Sequence, residues 1–350
     1  MVGDKLEPAL LLPNLPYAFG GPCGSGLIRQ QPEDFLVDEI TVVEPDGEGE
    51  HLLLQIEKRN SNTEWVAGQL ARLADVPRRD VSYAGQKDRH AVTRQWFSVR
   101  LAGKGEPDWH LLETPDLKVL QTARHGRKLR TGALIGNRFV IRVREYQGDT
   151  SALEVALARL AGEGMPNYYG EQRFGREGGN LVSAAALFRG ELKRLKRQKR
   201  GIYLSAARSL LFNRVLAARV AAGTWDSPMA GERMILAGSQ SSFLAEEIDE
   251  DILRRCRIMD IHTSGPLWGR GGAMTASAVT ALEAEVLAAD EHFREGLESF
   301  GLKRERRALR AAVGSLQWRI EGDQLVLQFS LPKGSFATSL LRECIDYRLP

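Results

Sequence analysis

The sequence predicts an α+β protein in which a helix-rich domain interrupts a sheet-built one. Strand-like alternation dominates before residue 150, helical periodicity runs from about 151 to 310, and alternation returns at 315–331. At 350 residues the chain is long enough for two domains, and its apolar and charged fractions of 43% and 27% lie near globular averages. The boundaries are expected near 164 and 311. This gives one domain of residues 1–164 plus 311–350 and an inserted domain of residues 165–310.

The elements follow from local pattern. GLIRQQ (26–31), FLVDEITVV (35–43) and HLLLQIEK (51–58) read as strands, the last two separated by the Pro/Gly turn PDGEGE. SNTEWVAGQLARLADVP (61–77) reads as a helix. Asn62 or Thr63 is placed to cap it, Val66, Leu70 and Leu73 share a face, and Pro77 stops it. RDVSYAG and WFSVRL (96–101) alternate as strands, which puts GQKDRHAVTRQ on the connection between them. RFVIRVREY (138–146) sends Phe139, Ile141 and Val143 to one face and Val140, Arg142 and Arg144 to the other.

Helices are expected from residue 151, with Leu153, Leu157 and Leu160 in line ahead of Gly162 and Gly164, and then over 181–196, 206–223 and 275–300. SLQWRI and DQLVLQFSL return as strands around the turn EGD. SFATSLLRECI (335–345) closes the chain as a helix that Gly334 or Ser335 caps.

Several function classes lose support. No run is long enough to span a bilayer, and acids and prolines break the apolar N-terminal stretch, so a cytoplasmic protein without a membrane role is expected. The three cysteines, at 23, 256 and 344, form no CxxC pair and read as reduced thiols. Six histidines show no HxH or HExxH spacing and no Asp/Glu/Cys cluster joins them, so no metal site is expected. The glycines of GGPCGSG and GRGG fit neither GxxxxGK[ST] nor GxGxxG followed by a helix. Net charge is only +3, but RHGRKLR (124–130) and RGELKRLKRQKR (189–200) concentrate cations while SSFLAEEIDEDIL (241–253) is acidic. Such clusters permit nucleic-acid binding and also occur as solvated faces.

The loop SYAGQKDRHAVTRQW (82–96) sets one acid, Asp88, among Lys87, Arg89, His90 and Arg94. On spacing alone Asp88 is a surface ion-pair partner or a reacting group. Neighbouring cations favour the ionised form of a carboxylate, which suits a nucleophile or base more than a general acid. A glycosidase needs a second, protonated carboxylate nearby, and the loop offers none. In GNRF (136–139) the Asn137 amide both donates and accepts, as a nucleobase edge requires, and Phe139 offers a stacking face. The same two residues also fit a turn and a strand core.

Taken together, PEDFLVDEI (32–40), PDGEGEH (45–51), NTEWVA (62–67), SYAGQKDRHAVTRQW (82–96), RHGRKLRTGALIGNRF (124–139), PNYYGEQRFG (166–175), LSAARSLLFN (204–213) and LPKGSFATSLLRE (331–343) closely resemble the tRNA pseudouridine synthase D (TruD) family, in order and over nearly the whole chain. The resemblance implies a pseudouridine synthase catalytic domain on a curved, largely antiparallel sheet, with the family's TRUD domain inserted. It implies isomerisation of a tRNA uridine, typically uridine 13 of glutamate tRNA, with no cofactor and no metal; no obligatory protein partner is expected. By the same resemblance the catalytic aspartate falls on Asp88. The uridine site falls on Phe35, Asn137, Phe139 and Phe336, and a basic position falls on Arg29, which would hold the carboxylate or a phosphate.

The chemistry suits these residue types. The uracil–ribose bond is broken at N1 and remade at C5, so no hydride carrier or hydrolytic water is consumed. An aspartate either attacks C1′ or takes a C2′ proton to give a glycal. The freed uracil must be retained while it turns, which calls for aromatic walls and an amide partner, and a uridine in folded RNA must first be flipped from its stack. Two rivals differ in class: a tRNA-binding chaperone or scaffold without chemistry, and a glycoside or nucleoside hydrolase that would release free uracil.

Overall fold

The computed structural model describes residues 15–350. Residues 1–14, part of the expected first domain and of the N-terminal stretch read for a leader, lie outside the described residues. Packing divides the chain into two compact units. One holds residues 22–157, 313–334 and 345–350, and the other holds 158–312 together with residues 15–21 and 335–344.

The first unit carries a ten-stranded mixed sheet, as the alternation predicts for an α+β chain. Its strands are β1 (Gly24–Leu27), β2 (Phe35–Thr41), β3 (His51–Arg59), β4 (Val81–Tyr83), β5 (Val92–Arg100), β6 (Leu117–His125), β7 (Leu134–Gly148), β8 (Gly314–Glu321), β9 (Gln324–Pro332) and β10 (Asp346–Arg348). The main path is β8-β9-β7-β2-β5-β3-β6, with β1 pairing β7 and β10, and β4 pairing β5. All contacts are antiparallel except β2 with β5 and β1 with β10. Helix α1 (Thr63–Leu73) covers one face: Val66, Leu70 and Ala71 pack with Leu52, Leu54 and Ile56 of β3 and with Phe97 and Val99 of β5. The Asn62 side chain accepts from the Glu64 amide and caps this helix.

Register puts the site residues on one face of the central strands. Phe35, Val37 and Glu39 of β2 stand opposite Ile141, Phe139 and Asn137 of β7, and Phe329 of β9 stands opposite Phe139. At Gly136 a Cβ atom would come within 2.2 Å of the Leu331 carbonyl oxygen, so close approach of β7 and β9 requires glycine there.

Helix α2 (Thr150–Glu163) contains the junction between the units. The second unit is built on α3 (Gly179–Phe188), α4 (Arg197–Ala221), α5 (Glu250–Arg257), α6 (Ser277–Val286), α7 (Glu291–Ser299) and α8 (Ala337–Leu341). Its core joins Leu210, Leu211, Phe212 and Leu216 of α4 to Leu181, Ala184 and Ala185 of α3 and to Phe293 and Leu297 of α7. No helix among the described residues is long and apolar enough to cross a membrane.

Some expected elements differ. The first strand ends at Leu27, because Arg29 takes φ 60 and turns the chain. β6 was not expected; it is an edge strand with much of its length exposed, which blunts alternation. The helix expected over 275–300 breaks between α6 and α7, where Asp290 is buried and pairs with Arg214 at 3.0 Å. The helix expected over 181–196 stops at Phe188, ahead of Gly190 at φ 74. The second unit also holds a small sheet of residues 232–236, 242–245 and 261–262 within the expected helical stretch. The acidic run 241–253 partly becomes a helix start, with Asp249 capping α5. The last helix is shorter than expected, and Ser335 donates to Asn167 Oδ1 rather than capping it.

Candidate active site

Asp88 lies on the loop between β4 and β5, and that loop is fixed residue by residue. The Ala84 carbonyl accepts from the Gly132 amide at 2.7 Å, and the Gly85 carbonyl accepts from Gln95 Nε2 at 3.0 Å. The Lys87 amide donates to Thr63 Oγ1 at 3.1 Å, and Thr63 Oγ1 in turn donates to Gln95 Oε1. The Lys87 amine reaches Glu39 Oε2 at 2.8 Å, with both side chains almost wholly buried. The Asp88 carbonyl accepts from Lys58 Nζ at 2.9 Å, and the Ala91 carbonyl accepts from the Asn60 amide. A loop so anchored loses little further entropy when it meets a ligand.

The main chain of Asp88 is thus held while its carboxylate remains 39% exposed. That carboxylate accepts from Arg29 Nη2 at 2.6 Å. The Arg29 guanidinium also lies 4.2 Å from the centre of the Phe35 ring, a cation–π contact. Its backbone sits in the left-handed region at φ 60, which costs on the order of 1–3 kcal/mol for a non-glycine residue. Strain of that size persists where the surroundings over-determine it, and here an ion pair and a ring contact hold the side chain.

Behind Arg29 the aromatic residues form a row. Phe35 meets Phe139 edge to face at 6.1 Å, and Phe139 stacks on Phe329 at 5.4 Å. Phe35 and Phe139 are 2% and 6% exposed, so both are also members of the sheet core. Asn137, opposite Glu39 in register, is half-buried, and its Oδ1 has no hydrogen-bond partner among the described residues. Burying an acceptor without a partner in the protein is costly.

The structure therefore brings Asp88, Arg29, Phe35, Phe139 and Asn137 into one unit. Phe336 belongs to the other unit, where it is half-buried, meets Tyr169 edge to face at 6.0 Å and lies under the Arg173 guanidinium at 5.8 Å. Tyr169 and Arg173 come from PNYYGEQRFG, so this motif and GSFATS meet in space.

Sequence reading missed Lys58 and the Glu39–Lys87 pair. Lys58 has no exposed surface, and burial pushes its amine down to about 8 against the opposing pull of the Asp88 carboxylate. A signal existed: along β3, Leu52, Leu54, Ile56 and Lys58 share the core-facing side, so the last of them is a lysine where an apolar residue fits the pattern. The pairing of Glu39 with Lys87 joins residues far apart in sequence and left no local trace.

Among known proteins, the family described as tRNA pseudouridine synthase D (TruD) matches residues 15–190 and 179–344. The tRNA pseudouridine synthase D of Methylococcus capsulatus is 50% identical over 335 residues, covering 95% of each chain. That of Nitrosococcus oceani is also 50% identical, over 94% of this chain and 93% of its own. A crystal structure from Methanosarcina mazei, described as a tRNA pseudouridine synthase D, superposes with a TM-score of 0.71 at 22% identity and covers 98% of both chains, a likeness that shows the fold. With the family match and these two relatives running almost end to end, the chain belongs to the tRNA pseudouridine synthase D family.

Proposed function

We propose that the protein isomerises a uridine of tRNA to pseudouridine, that its target is uridine 13 of glutamate tRNA, and that Asp88 is the reacting group. The observation that carries this reading is the half-exposed Asp88 carboxylate on a main chain anchored at residues 84, 85, 87 and 88, in a chain of this family.

In one route the Asp88 carboxylate bonds to ribose C1′ as the N1–C1′ bond breaks. The uracil turns, C5 bonds to C1′ and the carboxylate leaves. In the other, Asp88 takes the C2′ proton as N1 departs, giving a glycal, and returns it when C5 bonds to C1′. In both, N1 ends with a proton and C5 gives one up, so atoms balance without a co-reactant. Deuterium at C2′ slows the second route and leaves the first almost unchanged.

Arg29 holds the carboxylate in either route. Its guanidinium also covers one face of the Phe35 ring, which ties the aromatic row to the Asp88 carboxylate. Asn137 Oδ1 is suited to accept from uracil N3–H, and Phe139 backs the Phe35 ring. Phe336, which packs with Tyr169 and Arg173 within the helix-rich unit, is a further aromatic face suited to a base. We take the sheet-built unit as the catalytic domain and the helix-rich unit as the inserted one. The cations of 197–200 occupy the first turn of α4, where they oppose the helix dipole, which favours a role in holding phosphates over one in helix stability. A tRNA substrate also places the work in the cytoplasm.

The test is to incubate the protein with unmodified tRNAs and no additive, then map pseudouridine by carbodiimide-dependent primer-extension stops. One new stop at position 13 of glutamate tRNA is expected. No stop on any tRNA refutes the activity, a stop elsewhere refutes the position, and free uracil in the product identifies a hydrolase.

A further inference from the structure

Lys58 occupies a place where the β3 pattern calls for an apolar side chain, and its partners are backbone carbonyls rather than a carboxylate. Its amine donates to the Ser61 carbonyl at 2.7 Å and to the Asp88 carbonyl at 2.9 Å. Desolvating an ammonium costs more than two neutral acceptors return, so this lysine is a poor device for stability alone. What it does achieve is a join: Ser61 immediately precedes the cap of α1, and Asp88 is the centre of the β4–β5 loop.

The other anchors of that loop act at residues 84, 85, 87 and 91, whereas Lys58 acts on residue 88 itself. Arg29 holds the same residue at its carboxylate. With the main chain fixed at one end and the carboxylate at the other, the side chain between them has one orientation to offer.

We propose that Lys58 is a positioning residue for the isomerisation, fixing the Asp88 main chain so that the carboxylate meets the ribose in one orientation, without touching the substrate itself. This rests on the reading of Asp88 as the reacting group.

The experiment compares wild type, Lys58→Met, Lys58→Gln and Asp88→Asn by turnover on unmodified glutamate tRNA, with tRNA Kd measured in parallel. Misplacing a reacting group by about 1 Å costs about a hundred-fold in rate, so Lys58→Met is expected to lose about that factor in kcat. KM and Kd stay near wild type, because the tRNA contacts are untouched. Lys58→Gln recovers part of the rate, since its amide still donates to a carbonyl. Amide hydrogen exchange over 85–91 quickens in Lys58→Met while exchange over 51–57 holds, which reports local loosening rather than unfolding.

Lys58→Met turning over at the wild-type rate overturns the proposal, as does a loss confined to KM and Kd, or a Gln variant no faster than Met. The last comparison still decides if the Met variant folds poorly. Asp88→Asn remaining active instead sinks the reading of Asp88. With Asp88→Asn inactive and Lys58→Met at full rate, only the positioning role fails.

Discussion

Substituting Glu39 by glutamine removes the countercharge of Lys87 without changing the size of the side chain. The two groups are 2.8 Å apart, with side chains 1% and 5% exposed, so neither water nor salt screens them. Breaking a buried pair from one side costs about 3–5 kcal/mol, because the surviving charge stays buried. Glutamine keeps a neutral acceptor for the lysine, which puts the cost at about 3 kcal/mol, a large share of the 5–15 kcal/mol typical of folded proteins. Glu39→Gln combined with Lys87→Met removes both charges and is expected to lie within about 1 kcal/mol of wild type, about 2 kcal/mol more stable than the single variant.

Because the chain has two compact units, a single unfolding free energy is poorly defined. Native-state hydrogen exchange over 35–41 and 92–100, the strands flanking the pair, supplies the local value. Protection should fall in the single variant and return in the double one. Equal loss in both variants would show that the two charges are not coupled, and the account of the loop's anchoring would fail with it.

The buried Lys58 makes stability depend on pH. Its amine titrates at about 8 in the folded chain against an ordinary value of 10.5, so between these the unfolded chain binds more protons. This difference is worth about 3 kcal/mol, gained as pH rises from 8 to 10.5 and absent in Lys58→Met; parallel stability curves for the two proteins refute it. Gly136→Ala drives a methyl group onto the Leu331 carbonyl and should destabilise the β7–β9 pairing by about 1–3 kcal/mol, read by exchange over 134–148. Arg127 and Arg130 are exposed on the connection from β6 to β7, and their joint replacement by alanine should flatten the salt dependence of tRNA binding. An unchanged slope removes that stretch from the phosphate contacts.

Much of the architecture was legible because burial is one-sided. β2, β7 and β9 alternate clearly where one face is core, and Asn62 marks the start of α1 by its side-chain chemistry. What escaped was set by contacts distant in sequence. Arg214 meeting Asp290 accompanies a break in a helix that local propensity would continue, and the strands of 232–262 are too short to carry a period. At the site, Asp88, Phe35, Asn137 and Phe139 were marked by motif. The supports of Asp88 were not, since Lys58, Glu39 and Thr63 reach its loop from three separate elements. Sequence order also gave no sign that residues 335–344, with Phe336, pack with the helix-rich unit.

The central claim is that the Asp88 carboxylate moves the glycosidic bond from N1 to C5. Joining C5 to C1′ expels the hydrogen on C5, so glutamate tRNA carrying tritium at uridine C5 releases label to water in step with the reaction. Wild type should release the label of one uridine per tRNA, while Asp88→Asn binds the tRNA with nearly unchanged affinity and releases none. Release by Asp88→Asn at the wild-type rate would contradict the account.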